Sequence, residues 1–107
     1  MEVTIHIPDE VALESVEEKF RSLANQWRRE TRYISSITQR TSNVSYLKII
    51  AMGWSAVPLI LRELEKTRDH WIWALYIITG LDPADGIEVY DDAVEAWLTW
   101  GRRQNYL

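Results

Sequence analysis

Apolar residues recur every three or four positions over most of this chain, and every two positions only at its start. The clearest helical stretch runs from Gly53 to Gly80. Val57, Ile60, Leu61 and Leu64 mark one stripe, with Arg62, Glu63, Glu65 and Lys66 opposite, the pattern of a helix with a single buried face. Gly53 is expected to close the preceding element by taking a positive φ at least cost. Ser55 is a candidate N-cap, and Pro58 fits the first turn, where a missing N–H breaks no intrahelical bond. Asp69 is expected to cap the next helix and Gly80 to stop it. Between them WIWALYII runs for eight apolar residues without a break, which predicts burial on most sides. Ile72, Ile77, Ile78 and the aromatics would also suit a buried strand. The cap, the central Ala74–Leu75 pair and a length of about three turns favour helix.

Residues 2–8 alternate, Val3, Ile5 and Ile7 against Glu2, Thr4 and His6, so residues 1–8 are expected to form a short strand-like arm ended by Pro8. A lone strand is unstable and needs a partner strand or a surface to pack on. Residues 9–30 predict a long amphipathic helix: Asp9 is a candidate cap for an early turn, Ser15 and Glu18 form a capping box, and Val16, Phe20, Leu23 and Trp27 follow at 4-3-4 spacing. Residues 31–43 are a polar connection rich in Ser and Thr, long for a passive loop, with room for a turn of helix around Tyr33 to Ile37. The helical core is expected over residues 44–100. It opens with a short helix over 44–52, capped by Ser42 or Asn43, with Tyr46, Leu47, Ile50 and Ala51 inward. It closes, after a turn at LDPADG, with a helix over 88–100 whose inner face is Val89, Ala93, Ala96, Trp97 and Trp100 and which Gly101 ends. Residues 101–107 are the tail. The fold class is mainly α: a single domain, a small orthogonal bundle of about four to five helices, with the 53–80 pair at its centre and a short N-terminal β-strand.

Composition agrees with one domain. The 107 residues include 47% apolar positions and six tryptophans, ample for a core. With no cysteine there is neither a disulfide nor a thiolate zinc site, which suits a reducing compartment. The start of the chain lacks the basic stretch and long apolar run of a signal peptide, and the longest apolar run is far short of the ~20 residues that cross a bilayer. The expectation is a soluble, cytoplasmic protein without membrane contact. The net charge of −4 is unevenly spread. Lys19 to Lys48 holds seven bases and one acid, Glu30, whereas Asp82 to Glu95 holds six acids and no base. Either these regions attract one another, within the fold or between subunits, or the basic surface serves an acidic partner.

Three resemblances add to this. Gly53, Ala56, Val57, Pro58, Ile60, Leu61, Leu64, Ala74, Leu75 and Gly80 resemble a single HEAT-type repeat, over 28 of the 107 residues. Such repeats normally stack three or more deep. With no second copy in the chain, the resemblance implies one unit closed off by other helices. TIHIPDEVA resembles the opening of small bacterial antitoxins of the ribbon-helix-helix and related kinds, in which the strand pairs with its copy in a dimer and lies in the DNA major groove; the short helix-turn-helix that should follow is missing. Across residues 20–103, WRRET-x-Y-x-SS, YLKIIAMGWSAVPLILREL, DHWIWALYIITGLDP and AWLTWG look like a family of short, functionally uncharacterised bacterial proteins. That likeness carries no activity and no site residue with it.

Candidate chemistry is sparse. His6 and His70 join no acid–metal motif, and no GxGxxG, P-loop or GxSxG is present. Glu63, Glu65, Asp69 and His70 are near enough in sequence for acid–base work, but their spacing is also that of any polar helix face and turn. No catalytic residue, metal or cofactor is therefore expected. Trp71 and Trp73 diverge by about 200° around a helix, so one of them should reach a second surface, where a tryptophan suits a binding hot spot. The reading is a non-catalytic adaptor or antitoxin-like protein, binding another protein or its own copy through Trp71 or Trp73 and the arm residues Ile5 and Ile7. The alternative is nucleic-acid association through Arg28, Arg29, Arg32, Arg40 and Lys48, with Tyr33 and Tyr46 available to stack on bases.

Overall fold

The computed structural model describes residues 15–107; the predicted strand-like arm, with Ile5 and Ile7, and the first part of the predicted 9–30 helix lie outside the described residues. Six α-helices and one 3₁₀ turn make up the described chain, more helices than the sequence pattern counts, and no strand is found among the described residues. Helix α1 spans Val16–Thr31. Ser15 caps it from extended backbone, accepting the Glu18 N–H at 3.0 Å. Its buried face is Phe20, Leu23, Ala24, Trp27 and Thr31; Val16, expected on that face, is exposed.

Helix α2, Ile37–Thr41, lies inside the expected polar connection and starts later than the Tyr33–Ile37 turn foreseen, because Ser36 caps it. None of its residues is buried. Helix α3, Val44–Ala51, is capped by Asn43, whose side-chain oxygen accepts the N–H groups of Ser45 and Tyr46. Tyr46 and Ile49 point inward. Leu47 and Ala51, expected inward, are exposed: the buried stripe runs through Ser45, Tyr46 and Ile49, and both lie on the opposite side of the helix.

Gly53, at φ +70, opens a 3₁₀ turn over Gly53–Ala56, and the chain bends by 108° between α3 and the segment Gly53–Thr67. Ser55 caps nothing here. The 3₁₀ turn runs directly into α4, Val57–Thr67, and the Ser55 hydroxyl donates back to the Met52 carbonyl at 3.0 Å. Pro58 sits in the first turn, and Val57, Ile60, Leu61 and Leu64 are all fully buried, as the stripe predicts. Helix α5, Ile72–Thr79, ends on Gly80 in the left-handed region. Pro83–Gly86 makes the expected turn. Helix α6, Tyr90–Arg103, buries Ala93, Val94, Trp97 and Leu98; Val89 lies outside its inner face. Gly101 does not end α6. A Cβ there would stand 2.9 Å from Leu61 Cδ1, so the glycine permits close contact with α4 and the helix continues into the expected tail.

The helices close around α4. Helix α6 packs on α4, α3 on α1 and α5 on α3, and the 3₁₀ turn touches α1, α3, α4 and α5. One continuous apolar core results. Among the described residues no single helix is long and apolar enough to cross a membrane.

Candidate protein-binding surface

Helix α5 has two unlike sides. Trp71, immediately before it, is fully buried, with ring centroids 4.7 Å from Trp27, 5.6 Å from Tyr46 and 5.8 Å from Phe20. Trp71 is therefore a core residue and not a docking residue: the turn before α5 aims it at α1 and α3. Tyr46 secures that turn. Its hydroxyl donates to the His70 carbonyl and accepts the Ala74 N–H, both at 2.9 Å, and so supplies the partner for an early α5 N–H that Asp69 was expected to supply. Asp69 Oδ1 accepts instead from the His70 N–H at 2.8 Å and from Arg40 at 3.2 Å. Burial pushes the Tyr46 hydroxyl pKa well above its ordinary value.

The other side of α5 is apolar and uncovered. Trp73 is 51% exposed and stacks on Tyr76, centroids 5.6 Å apart, with Ile77 beside it. Of the eight-residue apolar run, Trp71, Ala74 and Leu75 are buried, Ile72 and Ile78 are half-buried, and Trp73, Tyr76 and Ile77 are each about half exposed. Trp73 stands between two hollows. One, of about 410 Å³, is lined by Ile37, Thr38, Thr41, Ser42 and Leu47. The other, of about 200 Å³, is lined by Ile37, Thr41, His70, Ile72 and Tyr90. Tyr90 donates its hydroxyl to the Asp69 carbonyl and faces the His70 ring at 5.5 Å; burial and the nearby Asp69 push its pKa up to about 12. Exposed Ile37 and Leu47 extend the apolar face onto α2 and α3.

Charges are committed elsewhere. Arg28 pairs with Glu63, and Arg40 with Asp69 at 3.2 Å while lying 5.3 Å over the Trp27 ring. Arg68 bridges to Asp91 and Glu95, and Arg102 reaches Glu65 at 3.4 Å. Among the described residues the basic and acidic regions do not pair with each other. The α4–α5 segment stands between them, giving carboxylates to Arg28 and Arg40 and an arginine to the acidic stretch. Glu63, Glu65 and Asp69, considered for acid–base work, are each held by an arginine. Of the five basic candidates for nucleic acid, Arg29, Arg32 and Lys48 are exposed, and Lys48 and Lys19 flank a hollow of about 460 Å³ between α1 and α3. Tyr46, considered for base stacking, is buried. Glu30 is held below its ordinary pKa, first by the Ser45 hydroxyl, which donates to it at 2.7 Å, and then by Asn43 and Gln26.

No family model, curated protein or solved structure matches this chain. Of the face described here, sequence reasoning finds Trp73 and misses Ile37, Leu47, Tyr76 and Ile77. For Tyr76 and Ile77 the available signal is the unbroken run itself, which leaves apolar residues on the face away from Ala74 and Leu75; Ile37 and Leu47 carry no such signal.

Proposed function

We propose that this protein is a non-catalytic protein–protein interaction module, an adaptor or antitoxin-like regulator. The observation that carries the reading is Trp73, half-exposed with Tyr76 and Ile77 between two apolar hollows, in a molecule whose core is already filled by other residues. In this reading the α4–α5 pair acts as one HEAT-type unit whose outer face is the docking surface. The test is affinity purification from the native host with wild-type protein, Trp73→Ala and Trp54→Ala. Trp54 is exposed to the same 51%, and the hollows on either side of Trp73 are lined without it, so it controls for loss of a surface tryptophan. The expected result is a protein partner that survives nuclease and is lost only from Trp73→Ala; retention of every partner by that variant refutes the proposal. The nucleic-acid alternative rests on Arg29, Arg32 and Lys48, since Arg28 and Arg40 are neutralised by carboxylates. It requires binding that falls steeply with salt.

A further inference from the structure

We propose that Asp85, in the turn between α5 and α6, is a site of spontaneous covalent modification, where the chain closes to a succinimide and reopens as isoaspartate. Asp85 and Gly86 are both exposed. The Asp85 N–H donates to the Asp82 carbonyl at 3.2 Å, and the Ile87 N–H to the Ala84 carbonyl at 2.9 Å. The Gly86 N–H between them has no acceptor among the described residues, and the Asp85 carboxylate has neither a hydrogen bond nor an ion pair there. Gly86 stands at φ +78; with no side chain it leaves its own nitrogen unshielded and gives the turn a wide backbone range. In the closing step the Gly86 nitrogen attacks Asp85 Cγ and gives up its proton to water. A bond forms from that nitrogen to Cγ, and the carboxyl oxygen leaves as water, which makes a five-membered imide. Water then adds to one of the two imide carbonyls. Opening at Cγ restores aspartate. Opening at the main-chain carbonyl breaks its bond to the Gly86 nitrogen and leaves the chain running through the side chain. No oxidant, metal or second reactant is consumed, and the final mass is unchanged.

The other described aspartates and asparagines are each held back. Asp82 precedes Pro83, whose nitrogen has no proton to give up, and its Oδ1 accepts the Ala84 N–H at 3.2 Å. Asp69 is gripped by Arg40 at 3.2 Å and by the His70 N–H at 2.8 Å, and the bulky histidine follows it. Asp91 and Asp92 lie in the first turn of α6; Asp91 pairs with Arg68 at 3.7 Å, and the Ala93 N–H that follows Asp92 donates to the Val89 carbonyl at 3.0 Å. Asn25 is inside α1, and the side-chain oxygen of Asn43 is occupied in capping α3. The Tyr106 N–H that follows Asn105 donates to the Gly101 carbonyl at 2.9 Å. Helical backbone and bonded amides must open locally before such a ring can close, whereas an exposed turn has far less to open. Asp85 alone among these residues combines a following glycine, an unbonded neighbouring nitrogen and an unpaired carboxylate. The product adds one backbone atom to the connection. Ala84, before it, packs in the core, and Tyr90, after it, lines the hollow beside Trp73, so the extra atom falls between the core and the α6 edge of that face.

The experiment ages the full folded chain for several weeks in neutral buffer at body temperature. Isoaspartate is then counted with an isoaspartyl methyltransferase and a labelled methyl donor. Peptide mass spectrometry, with fragmentation that tells the two linkages apart, locates it. The expected result is label that accumulates with time and maps mostly to residue 85, with a transient species lighter by one water in the same peptide. Asp85→Glu keeps the charge but would have to close a less favourable six-membered ring, so it should lose most of the label while keeping the wild-type circular dichroism. The mapping is made on wild type too, so the outcome does not depend on how the variant folds. Wild type that gains no isoaspartate at residue 85 overturns the proposal. So does label spread evenly over the other aspartates and asparagines, or label left unchanged by Asp85→Glu.

Discussion

Trp71 and Trp73 are two residues apart and live in opposite surroundings. Trp71 sits in an aromatic cluster with Phe20, Trp27 and Tyr46, on three elements far apart in sequence, and is sealed from water. Trp73 has one stacking partner, Tyr76, one turn along the same helix, and half its surface is exposed. The first cluster joins α1, α3 and α5; the second joins α5 only to itself. Contacts that tie distant segments together raise the stability of the fold, whereas contacts within one helical turn leave a surface that can be covered from outside.

Substitutions can break this contrast, beginning with the core side. Trp71→Ala removes a fully buried indole and should cost about 3–5 kcal/mol. Against a typical domain stability of about 5–15 kcal/mol, the variant should unfold at much lower denaturant, as chemical denaturation followed by circular dichroism will show. Tyr46→Phe keeps the ring and removes one hydroxyl, leaving the Ala74 N–H and the His70 carbonyl without that partner; the expected loss is about 1–3 kcal/mol in the same measurement.

The tyrosines also set a pH dependence. Folding raises the pKa of both Tyr46 and Tyr90, the latter to about 12, chiefly through burial. The native state then holds protons that the unfolded chain gives up near pH 10, so stability is full below about 10 and falls as pH climbs from there toward 12 and beyond. Melting temperatures across that window should decline, and less steeply in Tyr46→Phe. The smallest effect on the fold belongs to Trp73→Ala, expected to cost about 0.5–1.5 kcal/mol, since the ring is half-buried and stacks on Tyr76. Its signature lies elsewhere: less of the remaining tryptophan fluorescence should be open to a neutral quencher, since Trp27, Trp71 and Trp97 are fully buried.

The order of these effects follows the parts of the molecule that the sequence makes legible. The α4 stripe, the α1 cap at Ser15, the Asn43 cap and the stops at Gly53 and Gly80 are local signals, and each appears where spacing and side-chain chemistry put it. The errors fall where a distant partner decides. Asp69 reads as a cap but serves Arg40 from α2. Gly101 reads as a stop but makes room for Leu61. Trp71 and Trp73 are equivalent by type and differ only through what packs against them. The face around Trp73 is assembled from α2, α3, α5 and the start of α6, and no single segment carries its pattern.

Arg68 shows how such joint demands narrow what a position accepts. It ends α4 at φ +52, a left-handed conformation that costs a side chain other than glycine roughly 1–2 kcal/mol, and its N–H bonds the Leu64 carbonyl at 2.9 Å. Its guanidinium meanwhile reaches Asp91 and Glu95 on α6. Glycine or asparagine would satisfy the backbone and lose the reach. Lysine would keep the charge and lose the planar fork that grips two carboxylates. In a saturation library selected for folded protein, Gly and Asn should therefore be enriched at this site and the β-branched residues depleted, since the left-handed backbone weighs more than exposed ion pairs.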